Sequence, residues 1–271
     1  MEKGKPFGDA RETRQSVPAM NKRTMIEELT QLSVRLNGLV VPGRSIERTL
    51  AAYSFNLVVN NNHDTYKVSL VGSATAVHFN GRYILLCSNH QLRGVDPQQV
   101  AMLKDDGSIL VTSGGYATYQ ARPDTDANDI AAFDFTEPVA AHPDLKRRFF
   151  ELTDLPPDTP VTNVMAMLLT GYPSAGQTYD LETENHLGLA RLNVACTPDG
   201  QPIDNALIRV RAASPLSVDP DGMSGGSAFV IHLEGTDLRA YFAGIILQGG
   251  RELFHVLKPG NVMAFLRSVY P

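Results

Sequence analysis

From residue 53 to residue 136 the chain alternates short apolar runs with polar, glycine-bearing breaks, and none of the runs is long enough for a core helix. Tyr53 to Val59 is strand-like and stops at Asn60-Asn61-Asn62. Tyr66 to Leu70 alternates, and Gly72 to Phe79 runs into Asn80-Gly81, a dipeptide that favours a tight hairpin turn. Tyr83 to Cys87 is a β-type run that ends at Ser88-Asn89-His90. Two further strands fill Val100 to Tyr119, and Asp129 heads the run Ile130 to Phe135. Residues 137–160 carry prolines and the charged stretch Asp144 to Arg148, and read as a connector. The strand pattern then resumes at Val164 to Leu169, Leu187 to Cys196, Ala206 to Val210, Ala228 to His232, Leu238 to Leu247 and Glu252 to Val256. Many short strands with hairpin signals and no long helix between them predict an all-β fold in two comparable halves.

Both ends read differently. Residues 1–21 are polar, with Pro6, Gly8 and Pro18, and read as a flexible tail. Met25, Leu29, Leu32, Leu36 and Leu39 recur at helical spacing, with Thr24 and Glu27 as a capping box and Pro42-Gly43 as the stop. This predicts an N-terminal helical extension over residues 22–45. Pro259 to Val269 predicts a terminal helix within 258–271, with Val262, Phe265 and Leu266 on one face. The β halves then span 46–136 and 161–257.

Composition narrows the function classes. The chain has 271 residues and a formal net charge of -5, and its basic residues never cluster, so neither nucleic acid nor a membrane surface is expected as partner. No apolar window reaches the length of a transmembrane span. The polar start and two cysteines, Cys87 and Cys196, favour a cytoplasmic, reducing setting.

The densest chemistry lies at Asp221-Gly222-Met223-Ser224-Gly225-Gly226, where three glycines surround one serine ahead of an apolar strand. Such a turn bends tightly and turns its N–H groups inward, as a nucleophile beside an oxyanion hole requires. A glycine-rich surface turn has the same letters. The serine needs an imidazole, and of seven histidines His90 alone follows an apolar β run directly, in a small polar turn. Asp129, at the head of an apolar run, is a partly buried carboxylate that can orient the ring. Read blandly, His90 is a rim histidine and Asp129 a strand-start residue.

Together these motifs resemble the chymotrypsin-like (trypsin-like) serine proteases, in which histidine, aspartate and serine follow in that order across two β halves. Gly72-Ser-Ala-Thr-Ala-Val with Ile84 to His90 resembles the hairpin that ends at the family's histidine. Asp129-Ile130-Ala131-Ala132-Phe133 resembles its aspartate run, and Gly222-Met223-Ser224-Gly225-Gly226 its nucleophile motif. Ala243-Gly244-Ile245-Ile246 is similar to the strand before the substrate-binding edge, and Gly171-Tyr172-Pro173 to a turn of many bacterial members; with the polar start, an intracellular bacterial type is expected. The resemblance covers residues 50 to 270 and implies two antiparallel six-stranded β-barrels. It also implies Ser224 as nucleophile, His90 as general base, Asp129 as its orienter, the N–H groups of Gly222 and Ser224 as oxyanion hole, and no metal or organic cofactor. Val218, Leu247, Gln248 and Gly249 would line the substrate site.

Two departures stand out. Met223 replaces the aspartate that, in secreted members, pairs with a newly cut N-terminus. Leu247 replaces a serine that helps to hold the triad aspartate, and a leucine side chain donates no hydrogen bond. The function implied is a serine endopeptidase, expected to act on an intracellular protein or peptide substrate. By its position alone, the N-terminal extension is expected either to dock a regulatory partner or to hold the enzyme inactive. A catalytically silent protease-fold peptide binder fits the same letters, and so does an unrelated all-β binding module.

Overall fold

The computed structural model describes residues 32–61, 63–119, 125–153, 155–156, 163–180 and 186–271. The expected tail and the first part of the expected N-terminal helix lie outside the described residues. In chain order come β1 (Ser33–Leu36), β2 (Leu39–Pro42), α1 (Gly43–Ala51), β3 (Ser54–Asn60), β4 (Val68–Phe79), β5 (Arg82–Cys87), β6 (Val100–Leu103), β7 (Leu110–Thr112), β8 (Gly115–Thr118) and β9 (Ala131–Asp134). The connector holds a helical turn, α2 (Pro143–Lys146), and the short β10 (Phe150–Glu151). Then follow β11 (Val164–Gly171), β12 (Gln177–Asp180), β13 (His186–Leu189), β14 (Leu192–Pro198), β15 (Leu207–Ala212), β16 (Ser227–Glu234), β17 (Asp237–Gly249), β18 (Leu253–Leu257) and α3 (Pro259–Val269).

The second half is a closed ring, β16-β11-β14-β15-β18-β17, because β17 also pairs with β16. The first half is a curved sheet in the order β7-β6-β3-β4-β5-β9-β8. Its two edge segments are consecutive in the chain and meet at Ser113-Gly114. There Ser113 N–H donates to Val100 O at 3.2 Å on one side, and Gly114 N–H to Asp134 O at 2.8 Å on the other. Of the two barrels expected, one is closed by hydrogen bonds and the other is a half-barrel bridged by its own backbone.

The apolar runs are nearly unbroken because the central strands are buried on both faces. Leu85 and Cys87 of β5 point into the first barrel, while Ile84 and Leu86 point to a core shared between the barrels. In β16, Ala228 and Val230 face the second barrel's interior, and Phe229 and Ile231 face the shared core. α1 and α3 close that shared core with Ile46, Leu50, Phe265 and Leu266. Among the described residues no helix is long and apolar enough to cross a membrane.

The helix expected through Leu32, Leu36 and Leu39 is corrected. Residues 33–42 form a β-hairpin, with Asn37 at φ 45° and Gly38 at φ 79°. Two successive left-handed residues make the turn that suits twisted strands, and Asn-Gly is the pair that adopts it most readily. Val34 and Leu36 alternate inward, and β1 adds to β17 in parallel. Pro42-Gly43, expected to end a helix, starts α1 instead, so residues 46–51 are helical rather than the opening of the first barrel. Proline suits that position because its φ is preset and its missing N–H is not needed at a helix start.

Candidate active site

The histidine turn is set by β5. Where the strand stops, Asn89–Leu92 forms a single 3₁₀ turn anchored by buried Leu92, which leaves His90 half-buried at the groove between the barrels. Asp129 comes from the other side, at the end of the 3₁₀ turn Asp126–Asn128 and just before buried Ile130. Its carboxylate clasps His90 twice: Oδ1 accepts the backbone N–H at 2.8 Å and Oδ2 faces ring Nδ1 at 2.6 Å. An ionised carboxylate only accepts, so Nδ1 carries a proton, and it is Nε2 that is left to exchange one. The aspartate side chain is 17% exposed and the imidazole 37%, so the orienting contact is sheltered while the ring stays reachable.

The serine turn needs each of its glycines. Gly222 is left-handed at φ 91°, and a Cβ there would lie 2.8 Å from Tyr172 O. Gly225, at φ 81°, packs so closely that a Cβ would overlap Ser73 O and approach the Cα of Cys87 at 3.0 Å. A Cβ on Gly226 would overlap Thr170 O. Peptide planes then aim the free N–H groups, since each N–H points opposite the carbonyl of its own peptide. Asp221 O accepts Ser174 N–H at 2.7 Å, so Gly222 N–H points the other way; Met223 O accepts Gly226 N–H at 3.0 Å, so Ser224 N–H does too. Among the described residues neither N–H has an acceptor. Unengaged N–H groups of this kind are the raw material of an oxyanion hole.

The Ser224 hydroxyl donates to Leu247 O at 2.8 Å and makes no hydrogen bond to His90. Leu247 sits at a β-bulge, between the β17–β18 pairs Ile246↔Val256 and Gln248↔His255, and this turns its carbonyl toward the serine. Its side chain is 1% exposed and packs in the shared core. Gln248 is exposed and lines an open cavity of about 360 Å³ with His90, Arg93, Thr125, Asp126 and Asp129. Gly249 is exposed too, and Val218 is 38% exposed on the loop before the turn.

Neither a family model nor a curated protein sequence matches this chain. Solved structures do. Human heparin binding protein aligns over 82% of this chain and 94% of its own, at 10% identity and a TM-score of 0.53. The scabies mite inactivated protease paralogue S-I1 aligns over 82% and 95%, at 15% identity and a TM-score of 0.51. The fold is the chymotrypsin-like double barrel.

In this double barrel, three features of the site are assigned no role from the sequence. Gln91, next to the histidine, reaches across to Ser224 O at 2.5 Å. Ser73 of β4 donates to Gly222 O at 2.7 Å and accepts Tyr172 N–H at 2.7 Å. Phe254 of β18, fully buried, lies against Gly249, where a Cβ would meet its ring at 2.5 Å. Only the backbone path brings these residues to the turn; the position of Gln91 directly after His90 was the one usable hint. Met223 is 1% exposed inside the second barrel's core beside Phe254, and offers no charge for an activating ion pair. Cys87 is buried, and burial together with the Asp129 charge pushes its thiol far up, so it stays protonated and is no rival nucleophile.

Proposed function

We propose that this protein is a serine endopeptidase that cleaves protein or peptide chains through an acyl-enzyme. The observation that carries the reading is the double clasp of Asp129 on His90, which holds the ring by Nδ1 and leaves Nε2 to act as the base. Rotation about one Cα–Cβ bond takes Ser224 Oγ off Leu247 O, and apo sites commonly lack the tight nucleophile–base contact. His90 Nε2 takes the hydroxyl proton as Oγ adds to the scissile carbonyl. The oxyanion is met by the N–H groups of Gly222 and Ser224. The proton then passes from Nε2 to the leaving amine, and water, activated by the same base, releases the acyl group. Val218, partly exposed on the loop before the serine turn, supports an apolar rather than a basic preference at the residue before the scissile bond.

One observation favours a second reading, a catalytically silent peptide binder: the Ser224 hydroxyl is already engaged with Leu247 O. The same fold occurs in a protein named for its inactivation and in one named for heparin binding, so fold alone does not separate the two readings. A fluorophosphonate probe does. We expect it to label the native chain and to leave Ser224→Ala and His90→Ala unlabelled. Peptide binding without labelling of the native chain would sink the endopeptidase reading and leave the binder.

A further inference from the structure

The serine turn is held largely by the opposite barrel. Ser73 Oγ donates to Gly222 O at 2.7 Å, Thr75 Oγ1 to Gly225 O at 2.9 Å, and Gln91 Nε2 to Ser224 O at 2.5 Å. Ser73 N–H reaches the same Ser224 oxygen at 3.2 Å. The other end of the Gln91 amide is fixed as well, because its Oε1 accepts Ser88 N–H at 3.2 Å at the start of the histidine turn. Gly72 leaves room for this amide, since a Cβ there would overlap Gln91 Nε2. Drawing Ser224 O toward the first barrel turns Gly225 N–H the opposite way, where it donates to Ile246 O at 2.6 Å. The 224–225 peptide is therefore gripped at both ends, and its oxygen is held by Ser73 N–H of β4 and, at shorter range, by the side chain of the residue that follows His90.

We propose that Gln91 is a positioning residue: an amide strut from the histidine turn to the nucleophile's own carbonyl, which keeps base and nucleophile in register without a proteolytic activation step. The proposal rests on the endopeptidase reading for its effect on rate. It accounts for a turn that is assembled although Met223 supplies no ion pair. The strut works through its N–H donor, and the Ser88 contact through its oxygen, so the two roles separate by substitution. Gln91→Glu keeps the acceptor for Ser88 N–H and removes the donor; Gln91→Met keeps the length and removes both.

The test measures fluorophosphonate labelling rate, kcat and KM on peptide substrates, and melting temperature for the native chain and both variants. A lost hydrogen bond of this kind predicts labelling and kcat about tenfold lower in both variants, with KM unchanged. Native-like labelling of Gln91→Glu, with loss in Gln91→Met alone, would reduce Gln91 to a turn cap and overturn the strut. A fall in rate that merely tracks the melting temperature overturns it too. Amide exchange at Gly225 N–H needs no activity: the strut predicts about tenfold faster exchange in either variant, and unchanged protection overturns it. Gln91→Met carries this comparison if the carboxylate of Gln91→Glu prevents folding. Absence of labelling in the native chain bears on the endopeptidase reading alone.

Discussion

At the scale of single residues, the weight falls on one carboxylate with two acceptors in use. Asn in place of Asp129 still offers an oxygen to His90 N–H, but its amide group would face ring Nδ1 with a donor and force the proton onto Nε2. On the endopeptidase reading, Asp129→Asn should fold with an unchanged melting temperature and lose about 10⁴-fold in kcat, read by single-turnover acylation. A loss of less than tenfold would mean that the tautomer is set by something other than this clasp. His90, Asp129 and Ser224 could be picked out because each stands at a break between polar and apolar sequence, in an order that the two halves make meaningful. Gln91, Ser73 and Phe254 could not. For Gln91 and Ser73 the importance arises from atoms that meet across 99 to 149 positions of chain, such as Tyr172 with Ser73 and Gly222 with Ser73, and no local pattern encodes that meeting; Phe254 meets Gly249 as its cross-strand partner, which only the β17–β18 register decides.

At the scale of elements, strand positions were largely legible and strand closure was not. Unbroken runs such as Ile84 to Cys87 and Ala228 to Ile231 mark strands between two cores, and the C-terminal helix follows its apolar spacing. The leucine spacing before residue 40 misled because Val34 and Leu36 alternate at period two within the same window, and Asn37-Gly38 is the stronger local signal. The bulge at Leu247 has no signature beyond two strands of unequal length. Elements also set the acid limit. Burial holds the imidazoles of His232 on β16 and His255 on β18 below their ordinary value, with Arg209 adding to the effect at His255. A depressed folded value means that the unfolded chain binds the extra protons first. Stability is thus full above about pH 6.5 and falls as pH drops through and below that value. Thermal melts from pH 8 to pH 5 should show this slope, and His255→Gln should make it shallower; an unchanged slope would point to carboxylates instead.

At the scale of the whole molecule, the groove exists because two barrels share one core. Phe150 and Phe229 meet edge-on at 5.1 Å between ring centroids, and Ser54 Oγ bonds both Thr170 O and Ser227 Oγ across the same junction. The two halves of the site are thereby fixed to each other by buried contacts. The β1–β2 hairpin belongs to this scale as well. β1 occupies the flank of β17 at Leu238 and Arg239, and β18 occupies the same strand farther along, at Ile245 to Gly249. A chain begun at Gly43 would leave that first stretch of β17 as a bare template for strangers, in place of a four-residue border that ends in proline. Such a chain should scatter light in proportion to its concentration, while the full chain at equal strength stays clear. The hairpin then serves as a hem: it keeps the cloth from fraying, and the molecules from being sewn to one another.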